Sequence, residues 1–434
     1  MSEATVDSGK KTIAPKDIPE AINLFVNQID ALAETLPLAN LAIQNVRGTA
    51  GKEFIAFLQN ECKVEKKEGD TTTYTFVGGQ FLKYQRLTRR THKANLASIL
   101  VPRSLFVALV SQFDAHVGEL IRQLLKLKPE TLSACAKPLT YAQLVEFGSM
   151  EKAREYVIEK QIESVLRDSH TDQFDWLQST FGIKLRTDFP AWPVFIEITE
   201  RRNLFVHTNG VVSRQYLDVC QMHKCNLAEG LEVGMSLPLT REYFAASFDC
   251  ILEVGVKLGQ VLWRKIQPTE SVAADRNLME IAYSLISEGK YQAARALLEF
   301  ATCTLQPYLS SESSRLRFVI NLAQTYKWAG EEELCKQTID KEDWSAADAR
   351  FALACAVLRD DFDGANAIVK KIGKGDSELD AHAYREWPLF KKYRQSLDFP
   401  KLFEEIFGEP LNQFVLKDGG ETPPETQEPS APVN

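Results

Sequence analysis

The sequence predicts a mainly all-α protein with one small β element and a C-terminal array of helix pairs. Three observations carry that expectation. Apolar residues recur at three- and four-residue steps along most of the chain, the period of an amphipathic helix. One stretch, Thr71–Val77, is β-prone, rich in Thr, Tyr, Phe and Val, and ends at Gly78-Gly79. From Ala273 onward, a pattern of small residues and glycines returns 41 residues later.

Composition sets bounds on function. The 434 residues suffice for about two or three domains. Hydrophobic content of 44% and charged content of 25% are ordinary for a globular chain. A formal net charge of −8 argues against non-specific coating of long nucleic acid, yet permits a local basic groove. The polar, acidic start has no apolar h-region, and uninterrupted apolar runs such as Leu105–Val110 are too short to span a bilayer. A soluble, cytoplasmic protein with no membrane partner is expected. Eight cysteines without a CxxC pair read as reduced core residues. Cys220-x-x-His223-x-Cys225 offers three ligand types but no fourth and no ordinary knuckle spacing, so neither metal nor other cofactor is expected.

In chain order, residues 1–16 read as disordered and 17–93 as an α+β extension. Within the extension, Ile18–Leu36 carries Ile22, Phe25, Ile29, Leu32 and Leu36 on one face. A short helix near Lys52–Gln59 and a charged turn at Lys63–Asp70 follow. The densest basic segment is Lys83–Lys93. As a helix it aligns Arg86, Arg89 or Arg90, and Lys93 for phosphate contact, with Tyr84 free to stack on a base. The plainer reading is a solvated helix face.

Residues 94–267 predict one helical domain. Ser104–Leu127 has an apolar stripe wide enough for burial on two sides. Leu139–Phe147, Met150–Ser169 and Phe174–Phe181 follow as helices, the last ended by Gly182. Pro190 and Pro193 introduce a helix from Trp192. Tyr216–Cys220 and Glu232–Leu237 read as short extended pieces, and Leu239–Ile266, capped by Thr240, as the last long helix. Over 273–410, Ile281-Ala282-Tyr283 with Gly289 and Ala294 is echoed by Leu322-Ala323-Gln324 with Gly330 and Cys335. A degraded third copy has Phe362 and Ala365. Tyr384, Trp387, Phe390, Phe399 and Phe403 cap the array, and the proline-rich 416–434 reads as a disordered tail. With a separate core for the pairs, truncation after Ile266 is expected to leave dimerisation intact.

The helix from Trp192 ends in Glu200-Arg201-Arg202-Asn203-Leu204-Phe205-Val206-His207-Thr208-Asn209-Gly210. Arg202, Asn203 and His207 share a polar strip on a helix that is otherwise apolar all round, which leaves no wide solvated face. A buried Arg and His need partners. A second copy of the strip across a dimer axis supplies them.

Arg202-Asn203-x-x-x-His207 resembles the Arg-x(4–6)-His signature of the HEPN superfamily. The turn Thr208-Asn209-Gly210, the following Val211-Val212-Ser213-x-x-Tyr216 and the later long helix resemble bacterial members too. The resemblance implies a HEPN-type helical bundle and a metal-independent endoribonuclease that cuts single-stranded RNA as a homodimer, leaving a 2′,3′-cyclic phosphate. It implies His207 as general base or acid, Arg202 on the phosphorane, and Asn203 in support. The first long helix of such domains often brings a polar side chain to the site. Of Asp114, His116 and Glu119, Asp114 is expected to orient His207 or Arg202. Arg201, on the opposite side of the helix, is expected to matter much less. Toxin–antitoxin or antiphage defence is the implied setting. The alternative is a non-catalytic HEPN dimer that binds RNA or nucleotide, or serves as a scaffold, with a protein partner on the helix pairs. The pairs resemble tetratricopeptide repeats, though their spacing departs from the usual ~34 residues. A nucleotidyltransferase-linked HEPN antitoxin–toxin partner fits less well, because that group carries Tyr two residues after the His and position 209 is Asn.

Overall fold

A computed structural model describes residues 15–68, 71–134, 139–186 and 189–412; the terminal segments expected to be disordered fall almost wholly outside the described residues. The chain forms two compact units, residues 1–322 and 323–434.

The N-terminal segment is not a separate α+β extension. Asp17 caps α1 (Ile18–Glu61), accepting a hydrogen bond from the Glu20 backbone N–H at 2.9 Å, and the helix runs for 44 residues. It joins the two helices expected from the sequence and passes through Pro37. A hairpin of β1 (Lys63–Glu68) and β2 (Thr71–Thr75), in register Val64↔Tyr74, reverses the chain. The 47-residue α2 (Phe81–Leu127) then returns through Pro102. Ion pairs Lys83–Glu61 and Arg90–Glu53 fasten α2 against α1 in the antiparallel sense. Helix α2 therefore fuses the basic segment to the core helix, and the boundary placed at 93/94 lies inside it. A proline removes one helical hydrogen bond, a loss that burial of Ile22, Phe25, Ile29, Leu36, Ala50 and Phe57 along α1 offsets.

The lower half of α2 is the spine of unit 1: Phe106, Leu109, Phe113, Leu120 and Leu124 are fully buried. Around it lie α3 (Tyr141–Phe147), α4 (Met150–Arg167), α5 (His170–Phe181), α6 (Trp192–His207), α7 (Arg214–Met222) and α8 (Arg241–Ile266). Thr240 caps α8 as expected, accepting from the Tyr243 N–H at 3.1 Å. Tyr216–Cys220 is helical rather than extended, because Ser213 caps α7 through the Tyr216 N–H. Around Glu232–Leu237 the extended character is limited to one bridge, Val211↔Ser236. Helix α1 approaches α8 closely at two glycines. A Cβ on Gly255 would stand 2.3 Å from Phe25, and one on Gly259 2.7 Å from Ile22.

The helix pairs are α9 (Ser271–Ser287) with α10 (Tyr291–Glu299), α11 (Glu312–Trp328) with α12 (Glu332–Asp340), and α13 (Ala349–Leu358) with α14 (Phe362–Ile372). Gly289 and Gly330 turn the first two at φ 75° and 84°. In the third, Asp360 takes φ 59° and is held by Lys327, whose Nζ donates to its carboxylate at 2.6 Å and to the Leu358 carbonyl at 2.7 Å. The first pair belongs to unit 1. Beyond α14 come α15 (Ala381–Glu386) and α16 (Phe399–Phe407), with Tyr384, Phe390, Phe399 and Phe403 buried as the aromatic cap.

One helical stretch, Gly78–Leu127, is long and apolar enough to cross a membrane by length and composition; its 18-residue window has a mean hydropathy of 1.6 and is 22% buried. The expectation from uninterrupted runs missed it, because isolated polar residues break the runs without lowering the window average. Burial is concentrated in the lower half of α2, while the window itself stays mostly unburied, with Leu96, Ile99 and Leu100 exposed.

Candidate functional site

Helix α6 presents two chemically distinct polar faces. One is structural. Glu197, buried among apolar side chains, accepts from Arg201 Nε at 2.7 Å, the Tyr216 hydroxyl at 2.6 Å and the Tyr243 hydroxyl at 2.6 Å. The Arg201 guanidinium lies 3.8 Å from the Tyr243 ring centre. Burial, then the neighbouring Glu197 carboxylate, pushes both phenols above their ordinary range, so they stay protonated and donating. Tyr216, read from sequence only as part of a pattern, thus clamps α6 to α7. Arg201 is no bystander on a spare face; it neutralises a buried charge.

The other face holds the sequence-selected residues. Arg202 Nη2 donates to Asp114 Oδ2 at 2.8 Å, and His170 Nε2 meets Asp114 Oδ1 at 2.8 Å. Asp114 therefore bridges α6 and α5 from α2, holding Arg202 rather than His207. His116 and Glu119, the other polar residues of that stretch, point elsewhere. His116 is buried, stacked on Phe25 at 4.3 Å with Nε2 3.2 Å from the Gly255 carbonyl, and Glu119 serves Arg122 and Gln123. The Arg202 Nε is buried with no hydrogen-bond partner. Beside it, Asn203 Nδ2 donates to Glu200 Oε1 at 3.4 Å, and among the described residues no side-chain hydrogen bond joins it to His207. Burial raises the Glu200 carboxyl above its usual range, against the opposing pull of His170, Asn203 and Arg202.

His207 lies five residues past Arg202, about 7.5 Å along the axis. It is exposed, as is Val206, so the strip is not enclosed within one chain. The turn behind it is closely packed. Asn209 takes φ 55° and Gly210 φ 83°, where a Cβ would meet the Phe205 ring at 2.7 Å. Arg103 of α2 donates to the Asn209 carbonyl at 2.8 Å, with its guanidinium 4.9 Å from the Phe205 ring centre. Arg103 and His170 were missed in the sequence. His170 is remote in the chain, but its place just after Ser169, which caps α5, could have marked it.

Among the other sequence candidates, Arg86, Arg89 and Lys93 are exposed on α2 with no ion pair among the described residues, while Arg90 is paired with Glu53. Tyr84 is not free to stack on a base: it stacks on Phe76 at 5.1 Å. In the Cys220–Cys225 segment, His223 Nδ1 accepts from Trp192 Nε1 and its Nε2 meets Thr171, both at 3.3 Å. Among the described residues no group of three or more His, Cys, Asp or Glu side chains is placed to hold a metal ion.

Comparison of the chain with known families, characterised proteins and solved structures returns no match.

Proposed function

We propose that unit 1 is a HEPN-type, metal-independent endoribonuclease that acts on single-stranded RNA as a homodimer. The observation that carries this reading is Arg202, fixed by Asp114 with a buried, unsatisfied Nε, on the helix whose exposed end bears His207. The Arg202 side chain keeps 20% of its surface exposed, and through that exposed part it can meet a phosphate; an arginine already anchored loses little freedom on binding it. In the reaction the 2′-oxygen attacks phosphorus as its proton passes to a base. The 5′-oxygen leaves with a proton from an acid, and Arg202 offsets charge on the phosphorane. The products are a 2′,3′-cyclic phosphate and a 5′-hydroxyl. One chain offers one His207, so base and acid are the two copies in a dimer. Exposed Val206 beside each His207 is the apolar surface that the second copy covers.

Defence against phage or a toxin–antitoxin pairing in the cytoplasm is the setting we propose, with the helix pairs receiving a protein partner. Incubating the purified protein with single-stranded RNA in EDTA tests the chemistry. Intact RNA, with RNA still bound, would favour the second reading, a non-catalytic dimer in which the same Arg202 only binds phosphate.

A further inference from the structure

We propose that one face of α2, from Leu82 to Arg103, is a track for single-stranded nucleic acid leading to the turn that carries His207. The inference rests on the reading of Arg202 and His207 as an RNA site. Residues 71–113 contain no Asp or Glu, a 43-residue gap in a chain with 59 acidic residues. Over the whole arm, residues 47–93, ten Lys or Arg stand against five Asp or Glu, whereas the full chain is at −8. The arm is thus basic on an acidic protein, and its field draws a polyanion there rather than elsewhere.

Position along the helix gives the direction. Leu82, Arg86, Arg89, Lys93, Leu96, Leu100, Arg103, Val107, Val110 and Asp114 climb α2 in alternate steps of four and three, so they share one face. At its lower end the ladder is already occupied. Asp114 holds Arg202, and Arg103 holds the Asn209 carbonyl two residues beyond His207. At its upper end Arg86, Arg89 and Lys93 are exposed with no ion pair among the described residues. Between them Leu96 and Leu100, 42% and 52% exposed, offer apolar surface for bases whose phosphates the cations hold.

From Arg103 to Arg86 the rise is about 25 Å, or roughly seven stacked nucleotides at 3.4 Å each. A membrane surface fits less well. Lys63, Lys66, Lys67 and Lys83 do stand at the hairpin end with exposed Val64, Val77 and Leu82, but Arg86, Arg89, Lys93 and Arg103 continue along the helix toward the site.

The test is fluorescence anisotropy of 4-, 8-, 12- and 16-nucleotide RNAs with the His207→Ala protein across a salt series, repeated in an Arg86→Ala/Arg89→Ala/Lys93→Ala background. Affinity should rise with length to about 8–12 nucleotides and then level. The triple replacement should weaken 12-mer binding at least tenfold and lower the salt slope by about 2, three phosphates at ~0.7 each, while sparing the 4-mer. The Arg86→Lys/Arg89→Lys protein, which keeps all three charges, should retain most of the affinity. Length-independent affinity or an unchanged salt slope would overturn the track. So would triple-variant protein that keeps its RNA affinity but no longer sediments with phosphatidylserine vesicles. Cleavage by the otherwise wild-type protein is scored separately, so the track and the nuclease reading fail by different results.

Discussion

Asp114 is the residue on which the site turns. Its two oxygens take Arg202 and His170, and hydrogen bonds to charged partners are worth about 1.5–3 kcal/mol each. Asp114→Asn should lower stability by about that much and cleavage by more than tenfold, read by urea denaturation and single-turnover kinetics. Unchanged cleavage with a confirmed fold would remove Asp114 from the positioning of Arg202. The two neighbouring arginines then separate by type of defect. Arg201→Ala leaves Glu197 a buried, unneutralised carboxylate and should cost about 3–5 kcal/mol in folding. It is therefore a poor control for Arg202, contrary to the expectation from helical phase alone. Arg202 and His207 stood out as candidates in the sequence because a polar strip on an apolar helix is a local pattern. His170 and Arg103 were not, because their contacts cross 56 and 106 positions of sequence and no periodicity encodes that.

At the scale of elements, two helices are longer than expected: the expected Ile18–Leu36 stops before Pro37 and the expected Ser104–Leu127 starts after Pro102. Pro37 and Pro102 suggest helix ends, yet α1 and α2 pass through both, since long-range packing outweighs a local penalty of about 3 kcal/mol. Caps were more reliable guides, as Thr240 was for α8. The α1–α8 contact yields two tests. Gly255→Ala places a methyl inside the van der Waals radius of Phe25, and overpacking of that kind costs about 1–3 kcal/mol. A urea midpoint equal to wild type would show that the helices can separate freely there. His116 gives the second. Burial, opposed by backbone hydrogen bonds to Gly255 and Ala21, brings its pKa from 6.5 down to about 4. Between those values the unfolded chain binds more protons than the folded one. Its contribution is therefore complete above pH 6.5 and is lost as pH falls toward 4, by up to about 3 kcal/mol. His116→Gln should flatten stability across that window; an unaltered slope would assign the pH dependence elsewhere.

For the whole molecule, the division of the chain differs from the expected one, and the cause is polar. Gln260 Nε2 donates to Asn277 at 3.0 Å, Asn277 Nδ2 to Asn23 at 2.7 Å, and Arg264 pairs with Asp275 at 2.8 Å. These contacts tie the first helix pair to α1 and α8 within unit 1. Truncation after Ile266 should therefore unfold the protein, while light scattering of the full chain should give a dimer near twice 48.9 kDa. A folded 1–266 fragment by circular dichroism would return the boundary to where hydrophobic pattern alone puts it. Helix class and the repeat of pairs were readable because they are periodic; the domain edge was not, because it depends on buried side-chain pairs.

The central claim is that Arg202 and His207 cleave RNA without metal, and one measurement addresses it most directly. Single-stranded RNA is incubated in EDTA with wild-type and His207→Ala protein, and the products are resolved with their 3′ ends identified. The His207 side chain is exposed and makes no hydrogen bond among the described residues, so its loss should leave the fold of the chain unchanged, and dimer mass is measured alongside because the residue stands at the proposed seam. We expect wild type to release 2′,3′-cyclic phosphate ends and the variant to be about 10²–10⁴-fold slower. Cleavage at the wild-type rate by His207→Ala, or wild-type cleavage that EDTA abolishes, would contradict the account.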